Sequence, residues 1–476
     1  MAHNRVSPIF NDTSPPKVPS QGKEKESSSP GSPVMLENYL PGPPVISEKS
    51  LIEEEYDPHA FGKERNPTIF WGPILHLLKY IVGTGVLILP YTFKSVGYAV
   101  AIFGTIFVCV LYMHVIHLLF DVEYRLCKKL KTPNLTYIGI VEGAFDQGPR
   151  FFRKLVPVCK FFVYFHYVFN KSLMNGVYLI IISSNFKIVI DHYYGTNTSV
   201  IAIMTALMVP LIGLALIREL KFLVPLSMLT NAFNIFNLLI ILSIPSSYNG
   251  AADMKAVNDI TQFPNFFAIL LGSLECTALS LPVKNDMENP KRFTTFFGVL
   301  NISLSIAALV YGTFGILGYA KYGDHLQPNI MFNLPPGEMI PLVILSLHSL
   351  AICISFILFI YISYDTVWNN LFKGKKMKRP LVMEYSIRIT LCILPYCFAL
   401  VIPDFKLLLS LTNVIGILMD EGIPPILHML LLVKKEGQSM RFYLSLLKDI
   451  AIVLICFCLF VAALVDVVKN ILAFYV

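Results

Sequence analysis

The sequence predicts an all-α integral membrane protein of eleven transmembrane helices, ten of which form two inverted repeats of five with the first and sixth helices broken. Three observations support this. Of the 476 residues, 55% are hydrophobic and only 14% are charged, whereas a soluble domain carries about 25% charge. Eleven stretches are apolar and long enough to cross a bilayer. Two interruptions, Gly83-Thr84-Gly85 and Gly272-Ser273-Leu274-Glu275, occupy corresponding places in the first and sixth stretches.

Residues 1–65 precede the first apolar stretch and are rich in Pro, Ser, Lys and Glu. Such a segment cannot bury enough apolar surface to offset the entropy lost on ordering. We therefore predict a disordered cytoplasmic tail, used for trafficking or phosphorylation or simply solvated.

A helix needs about 20 mainly apolar residues to cross the hydrocarbon. The stretches that satisfy this are 69–92, 98–120, 158–184, 200–217, 222–244, 264–283, 295–319, 340–362, 383–402, 405–432 and 449–471. They divide the chain into a first repeat at 66–245, a second at 246–433, and an eleventh helix with a short C-terminus at 434–476. Because five is an odd number, the second repeat enters the membrane from the opposite side, which is the arrangement of LeuT-type transporters.

The distribution of positive charge predicts the orientation. With the N-terminus in the cytoplasm, the inside loops carry 21 Lys and Arg residues and the outside loops carry 6, as the positive-inside rule requires. The C-terminus then lies outside or in a lumen, and the sequon at Asn197 is a plausible glycosylation site in an outer loop. The net charge of +7 fits loops beside anionic lipid better than nucleic-acid binding. The nine cysteines show no metal-ligand spacing, so we expect no structural disulfide, metal or cofactor.

The paired interruptions point to a binding site. Unpaired backbone groups are tolerated at membrane depth only where they line a buried cavity, and a pair of breaks in corresponding halves indicates a transporter's substrate site. The half-helix beginning near Val86 directs its N-terminal dipole at the first break, where a carboxylate can bind. Candidate substrate-binding residues are Gly83, Thr84, Gly85, Gly272, Ser273, Leu274 and Glu275. The alternative is that the glycines simply allow close helix packing.

Ionisable residues inside spans are costly and suggest function. His76 lies two turns before Gly83, and Glu275 lies in the second break, so both are candidates for proton coupling. Either residue is alternatively a hydrogen-bonded packing residue. Lys171 in the third span is a candidate fixed cation that stands in for a sodium ion, pairs with an acid, or snorkels to the interface. Asp420-Glu421 in the tenth span are expected to face an inner vestibule.

These segments resemble a known family. The motifs are HLLK…GTG…LP (His76 to Pro90), LECTALSLPVKNDMENP, GYAKYGDHLQPNIMFNLP and IPDFKLLLSLTNVIG, in that order. Together they resemble the proton-assisted amino acid transporters of solute carrier family 36, in the amino acid/auxin permease group of the APC superfamily, over about residues 66–472. The resemblance implies a LeuT-like fold and movement of small neutral amino acids, often with a proton.

Within that resemblance, His76 matches the family's first-span histidine, which is linked to proton coupling, and Glu275 matches the acid of its sixth-span motif. Two features depart from the family. Tyr80-Ile81-Val82 replace a small residue and an asparagine, and Lys171 stands where an uncharged polar residue is expected. A bulkier, less polar wall beside the break could change the substrate.

Secondary amino acid transport by alternating access is the leading hypothesis, with H⁺ favoured over Na⁺ as the coupled ion. The alternatives are an uncoupled carrier and an amino acid sensor or receptor with little flux. A membrane enzyme is the weakest, since only His114, His117 and Asp121 suggest a catalytic or metal constellation. The family occurs in plasma membranes and in lysosomal or endosomal membranes, and the sequence does not choose between them.

Overall fold

The computed structural model describes residues 56–58, 69–217, 236–244, 250–335, 338–372, 378–432 and 440–475. Residues from 56 onward form one compact unit. The predicted tail lies outside the described residues except for 56–58, and so does most of the predicted fifth span, of which only a helix at 236–243 is described.

The regular elements of the described chain are helices. In chain order they are α1 (Trp71–Ile81), α2 (Leu89–Val96), α3 (Tyr98–Leu130), α4 (Tyr137–Gln147), α5 (Arg150–Arg153), α6 (Val156–Tyr194), α7 (Val200–Ala215), α8 (236–243), α9 (Phe263–Leu274), α10 (Thr277–Asn285), α11 (Val299–Tyr322), α12 (Met339–Leu371), α13 (Pro380–Val401), α14 (Phe405–Gly416), α15 (Ile423–Leu432) and α16 (Met440–Tyr475). A 3-10 turn, Thr84–Ile88, joins α1 to α2, and a π-helix, Ile417–Gly422, joins α14 to α15.

Within the described ranges, eight spans are long and apolar enough to cross a membrane, and the bent pair formed by α1 and α2 makes a ninth. The eight are Tyr98–Leu130, Val156–Tyr194, Ile260–Asn285, Val299–His325, Met339–Trp368, Pro380–Val401, Phe405–Leu432 and Met440–Ala473. The shorter helix α7 is also apolar. Each predicted stretch other than the fifth thus coincides with a described helix or helix pair.

The sequence prediction is incomplete in two places. Helix α6 has 39 residues, which at 1.5 Å per residue is about 58 Å and far exceeds the hydrocarbon thickness, so it extends beyond the predicted 158–184. The loop before it contains α4, an amphipathic helix too short to register as a span. The side chain of Thr136 caps α4 by accepting a hydrogen bond from the backbone N–H of Gly139 at 3.2 Å.

Three helices support the region of the breaks. Helix α6 packs against α12, α13 and α14, while α11 packs against α1, α2 and α3, and α3 also packs against α9. Large apolar side chains such as Phe103, Val209 and Leu309 are exposed on the outer surface, as expected of helices that face lipid. The polar side chains that contact the interrupted spans therefore come from the interior faces of α3, α6 and α11.

Candidate functional site

The first interruption is a bend in the first span. Helix α1 ends at Ile81, Val82 leaves helical geometry, and Gly83 is extended with φ −104° and ψ −150°. After the 3-10 turn, α2 begins with Pro90 in its first turn, where a missing N–H costs nothing. The two segments are bent by 48°. Two glycines close together are poor helix formers, which explains why the break falls here. The side chain of Thr84 lies outside the described part of the structure.

The second interruption is shorter than predicted. Helix α9 continues through Gly272, Ser273 and Leu274, and only Glu275 and Cys276 leave helical geometry before α10 begins. A side chain at Gly272 would clash with the amide of Asn413 on α14, so this glycine serves close helix packing. Leu274 is completely buried. The prediction therefore extended the break three residues too far, because it took a packing glycine for a helix breaker.

Two tyrosine hydroxyls satisfy backbone groups opened by the breaks. Tyr311 on α11 donates to the carbonyl oxygen of Ile81 at 2.6 Å and lies 2.9 Å from the carbonyl oxygen of Ser273, so its single proton is shared between the two spans. Tyr112 on α3 accepts a hydrogen bond from the N–H of Cys276 at 2.8 Å. An unsatisfied backbone group in hydrocarbon costs several kcal/mol, roughly 2–7. These two side chains therefore stabilise the interruptions.

The breaks also touch each other. A Cβ atom added to Gly85 would lie 3.0 Å from the hydroxyl oxygen of Ser273, closer than most Cβ contacts. By contrast, a Cβ at Gly83 would meet its nearest neighbour, the carbonyl oxygen of Tyr80, at an ordinary 3.7 Å. The tight point between the spans is thus Gly85 against Ser273, which places these two predicted site residues together.

Three polar side chains, which we call the central triad, converge on the second break: Tyr80, Lys171 and Glu275. The Tyr80 hydroxyl donates to Glu275 Oε2 at 3.3 Å, and Lys171 Nζ donates to the Tyr80 hydroxyl at 3.4 Å. Lys171 Nζ lies 3.7 Å from Glu275 Oε2, with the two side chains 13% and 16% exposed. Nζ also lies 5.0 Å from the ring centre of Phe359. Two opposite charges are thus held nearly dry, between α1, α6 and the second break.

The sequence marks each triad residue as unusual but does not show that the three lie together. In the sequence, Tyr80 stands out only as a departure from the family, and Lys171 as a cation compatible with several roles. The sequence does indicate a possible pairing, since three polar residues lie in apolar spans and two of them have opposite charges. Pairing them requires knowing that α1 and α6 each bring a side chain to the second break.

His76 is not part of this arrangement. Its side chain on α1 is exposed at the bundle surface, and among the described residues no hydrogen bond or ion pair joins it to Glu275. Its role in proton coupling stays a prediction.

Asn197 lies in the exposed loop between α6 and α7, where its Oδ1 accepts a hydrogen bond from Lys187 Nζ at 2.8 Å. The exposed position is compatible with glycosylation, which stays a prediction.

Of the three residues that suggested an enzyme or metal site, His117 and Asp121 make separate contacts, and Nε2 of His114 is buried without a hydrogen-bond partner in the described residues. Asp121 pairs with Arg125 at 2.7 Å and with His428 at 3.2 Å, while His117 Nε2 contacts the amide oxygen of Asn301 at 2.8 Å. In the described ranges no group of three or more His, Cys, Asp or Glu residues is arranged to hold a metal ion.

Asp420 and Glu421 lie in the π-helix, which the sequence did not reveal. Both are buried, with 4% and 1% of their surface exposed. Asp420 Oδ2 lies 3.3 Å from Nε2 of His166, a residue on α6 that sequence reasoning missed. We call His166, Asp420 and Glu421 the π-helix cluster.

Comparisons with known proteins agree with this architecture. A family model described as transmembrane amino acid transporter protein matches residues 67–469. The proton-coupled amino acid transporter-like protein pathetic of Drosophila melanogaster is 29% identical over 423 residues, which cover 85% of this chain and 88% of that protein. The probable amino acid transporter skat-1 of Caenorhabditis elegans is 24% identical over 368 residues, covering 75% and 79%. Vacuolar amino acid transporter 4 of Saccharomyces cerevisiae is 24% identical over 323 residues, covering 66% and 42%.

The chain belongs to the transmembrane amino acid transporter family. The predicted family resemblance is thereby confirmed, as is the prediction of a multi-pass membrane transporter rather than an enzyme.

Proposed function

We propose that this family member is a secondary transporter that moves small neutral amino acids by alternating access, coupled to protons. The observation that carries the proposal is the central triad, a nearly dry pair of opposite charges at the junction of two interrupted spans. The name of the Drosophila relative, a proton-coupled amino acid transporter-like protein, supports the same activity.

The triad's charges match those of a zwitterion. An amino acid that enters between Lys171 and Glu275 brings a carboxylate for the lysine and an ammonium for the glutamate, so neither buried charge loses its partner. The N–H groups at the start of the 3-10 turn, around Gly85, provide further donors for the carboxylate. The carbonyl oxygens of Ile81 and Ser273 are held by Tyr311, so the ammonium uses Glu275 rather than those carbonyls.

Proton coupling follows from the same pair. A proton on Glu275 cancels its charge and releases Lys171 from it, which changes the partner available to the substrate. Of the two predicted coupling residues, Glu275 is better supported than His76, because Glu275 contacts both other members of the triad.

The topology that suits this function is the predicted one. It has eleven spans in a LeuT-like 5+5 inverted repeat with the boundaries given above, the N-terminus in the cytoplasm, and Asn197 and the C-terminus outside or in a lumen. The name of the yeast relative, a vacuolar amino acid transporter, favours an endolysosomal membrane over the plasma membrane.

The test is uptake of a labelled amino acid panel by purified protein in liposomes, with proton and sodium gradients imposed separately. We expect saturable uptake driven by an inward proton gradient and indifferent to sodium. Glu275→Gln should lose gradient-driven accumulation, whereas His76→Ala, which removes the other predicted coupling residue on α1, should keep it.

Two results would change the proposed coupling residue or the proposed function. Loss of the pH response in His76→Ala alone would move proton coupling to that residue. Absence of saturable flux for every amino acid would favour a receptor that senses amino acids.

A further inference from the structure

The π-helix in the span Phe405–Leu432 places two adjacent acids in the protein interior. A π-helix inserts an extra residue into an α-helical turn, and such bulges often occur at functional sites. Here it carries Asp420 and Glu421, both almost completely buried. Two carboxyl groups at that depth are costly unless each is paired or neutral.

The two acids have different partners. Asp420 contacts Nε2 of His166 at 3.3 Å, and both side chains are about 95% buried. Glu421 has no Lys, Arg or His bonded to it in the described chain, and its buried Oε2 has no hydrogen-bond partner there. Nδ1 of His166 is also buried without a partner in the described residues. The π-helix cluster therefore contains two buried polar atoms without a hydrogen-bond partner in the described residues, a carboxyl oxygen of Glu421 and a ring nitrogen of His166.

The charged groups near Glu421 do not provide it with a cationic partner. Among the described residues, the titratable groups that interact with Glu421 are Asp420 beside it, Tyr112 on α3, Tyr137 on α4, Glu275 in the second break and Cys456 on α16. Those on α6 that interact with the adjacent Asp420 are His166, Tyr167 and Lys171. Lys171 is already paired with Glu275, and His166 with Asp420. A buried carboxyl group without a cationic partner avoids the desolvation cost by holding a proton.

We propose that Glu421, with His166 and Asp420 beside it, forms a proton-binding site separate from the central triad. Its ligand is a single proton, which forms an O–H bond on the Glu421 carboxyl group and leaves it neutral. Release of the proton regenerates the carboxylate, and the candidate acceptor of that proton is the imidazole of His166, which contacts the adjacent residue Asp420. A metal ion is a poorer ligand, since in the described part no group of three or more His, Cys, Asp or Glu residues is arranged to coordinate one.

The site's effect on transport rests on the proposed function, but proton binding can be measured without it. The first experiment is infrared difference spectroscopy of the full-length protein in lipid nanodiscs during a pH titration. We expect the carbonyl stretch of a protonated carboxylic acid near neutral pH, and its loss in Glu421→Gln. Glutamine has nearly the shape of the neutral acid. This variant should therefore fold, and its unfolding temperature should be close to that of the wild type.

Glu384→Gln is the matched control. Glu384 is buried but pairs with Arg388 at 3.4 Å, and Arg388 keeps the carbonyl oxygens of Ala215 and Ile217 as partners when the acid is removed. The infrared band should therefore survive in this variant. His166→Gln provides a second test should Glu421→Gln fail to fold, because removal of the neighbouring base should shift the pH at which the band disappears.

The outcomes separate this inference from the proposed function. A band that persists unchanged in Glu421→Gln and in His166→Gln, or that never appears, overturns the proton site. A Glu421-dependent band in a protein without amino acid flux leaves the site standing and refutes transport. In a transporting protein we expect Glu421→Gln to lose the pH-dependent part of uptake while retaining amino acid exchange, and an intact pH response would refute the site's role in coupling.

Discussion

The first interruption bends its span by 48° and extends over a stretch of irregular and 3-10 backbone, whereas the second occupies only Glu275 and Cys276 and leaves Ile260–Asn285 as one span. The first rests on glycines, which offer backbone freedom and no side-chain chemistry. The second rests on a charged residue and has little backbone freedom. The two breaks therefore contribute different things, geometry from one and charge from the other.

Each interruption depends on side chains from other helices for its hydrogen bonds or charge balance. The carbonyl groups of both spans share one hydroxyl from Tyr311, the N–H of the second is bonded to Tyr112, and the charge of the second is balanced by Lys171. Breaks that share a partner can move together, since a displacement of α11 disturbs both. The following experiments test how far the two breaks are coupled and how they differ.

The largest effect is expected from charge in the second break. Removing one partner of a buried ion pair costs about 3–5 kcal/mol, because the other charge is left in a dry site. Glu275→Gln and Lys171→Met should each lower the unfolding temperature and the yield of folded protein. The double variant should recover much of the lost stability without recovering transport.

Lys160 and Glu142 provide the matched control. They form a closer pair at 2.7 Å, but their side chains are 38% and 44% exposed. Screening by solvent limits such a pair to about 0–1 kcal/mol, so Lys160→Met should change the unfolding temperature little. Equal losses in the exposed and central pairs would contradict the charge-based account of the second break.

An intermediate effect is expected from the shared hydroxyl. Tyr311→Phe removes the hydroxyl partner from carbonyl groups of both spans, leaving Ile81 O with only the N–H of Gly83, and should cost about 1–3 kcal/mol. Hydrogen exchange followed by mass spectrometry should speed up at both breaks, whereas Tyr112→Phe should speed it up only around Cys276. The control is Tyr319→Phe on the same helix, whose hydroxyl bonds to the backbone N–H of Lys255 at 3.2 Å. Faster exchange at only one break in Tyr311→Phe would show that the two are independent.

The smallest effect is expected where the breaks touch. Gly85→Ala pushes a methyl group against Ser273 and should cost about 1 kcal/mol or slightly more. Ser273→Ala in the same protein should relieve the cost by removing the hydroxyl, which a thermal unfolding series would detect. Gly213→Ala on α7 is the control, since a Cβ atom there has nothing within 4 Å. A loss in Gly85→Ala that Ser273→Ala does not relieve would rule out this contact.

Much of the fold was predictable because bilayer crossing imposes a length and a composition on each span. The predicted stretches coincide with the helices wherever the structure describes them, apart from the partly described fifth. The first break was located correctly because Gly83 and Gly85 act through local backbone propensity. The second was misplaced at Gly272, since a packing glycine and a breaking glycine look the same until the neighbouring Asn413 is known.

The membrane class, the family, the described spans and the identity of the unusual polar residues follow from the amino-acid sequence, because these depend on composition, local periodicity and residue order. Tertiary structure alone decided which of those residues meet. It brings Lys171 to Glu275 and Tyr80, places His166 beside Asp420, and leaves His76 at the surface. These pairings depend on how helices far apart in the chain are rotated and packed, which no short stretch of sequence specifies.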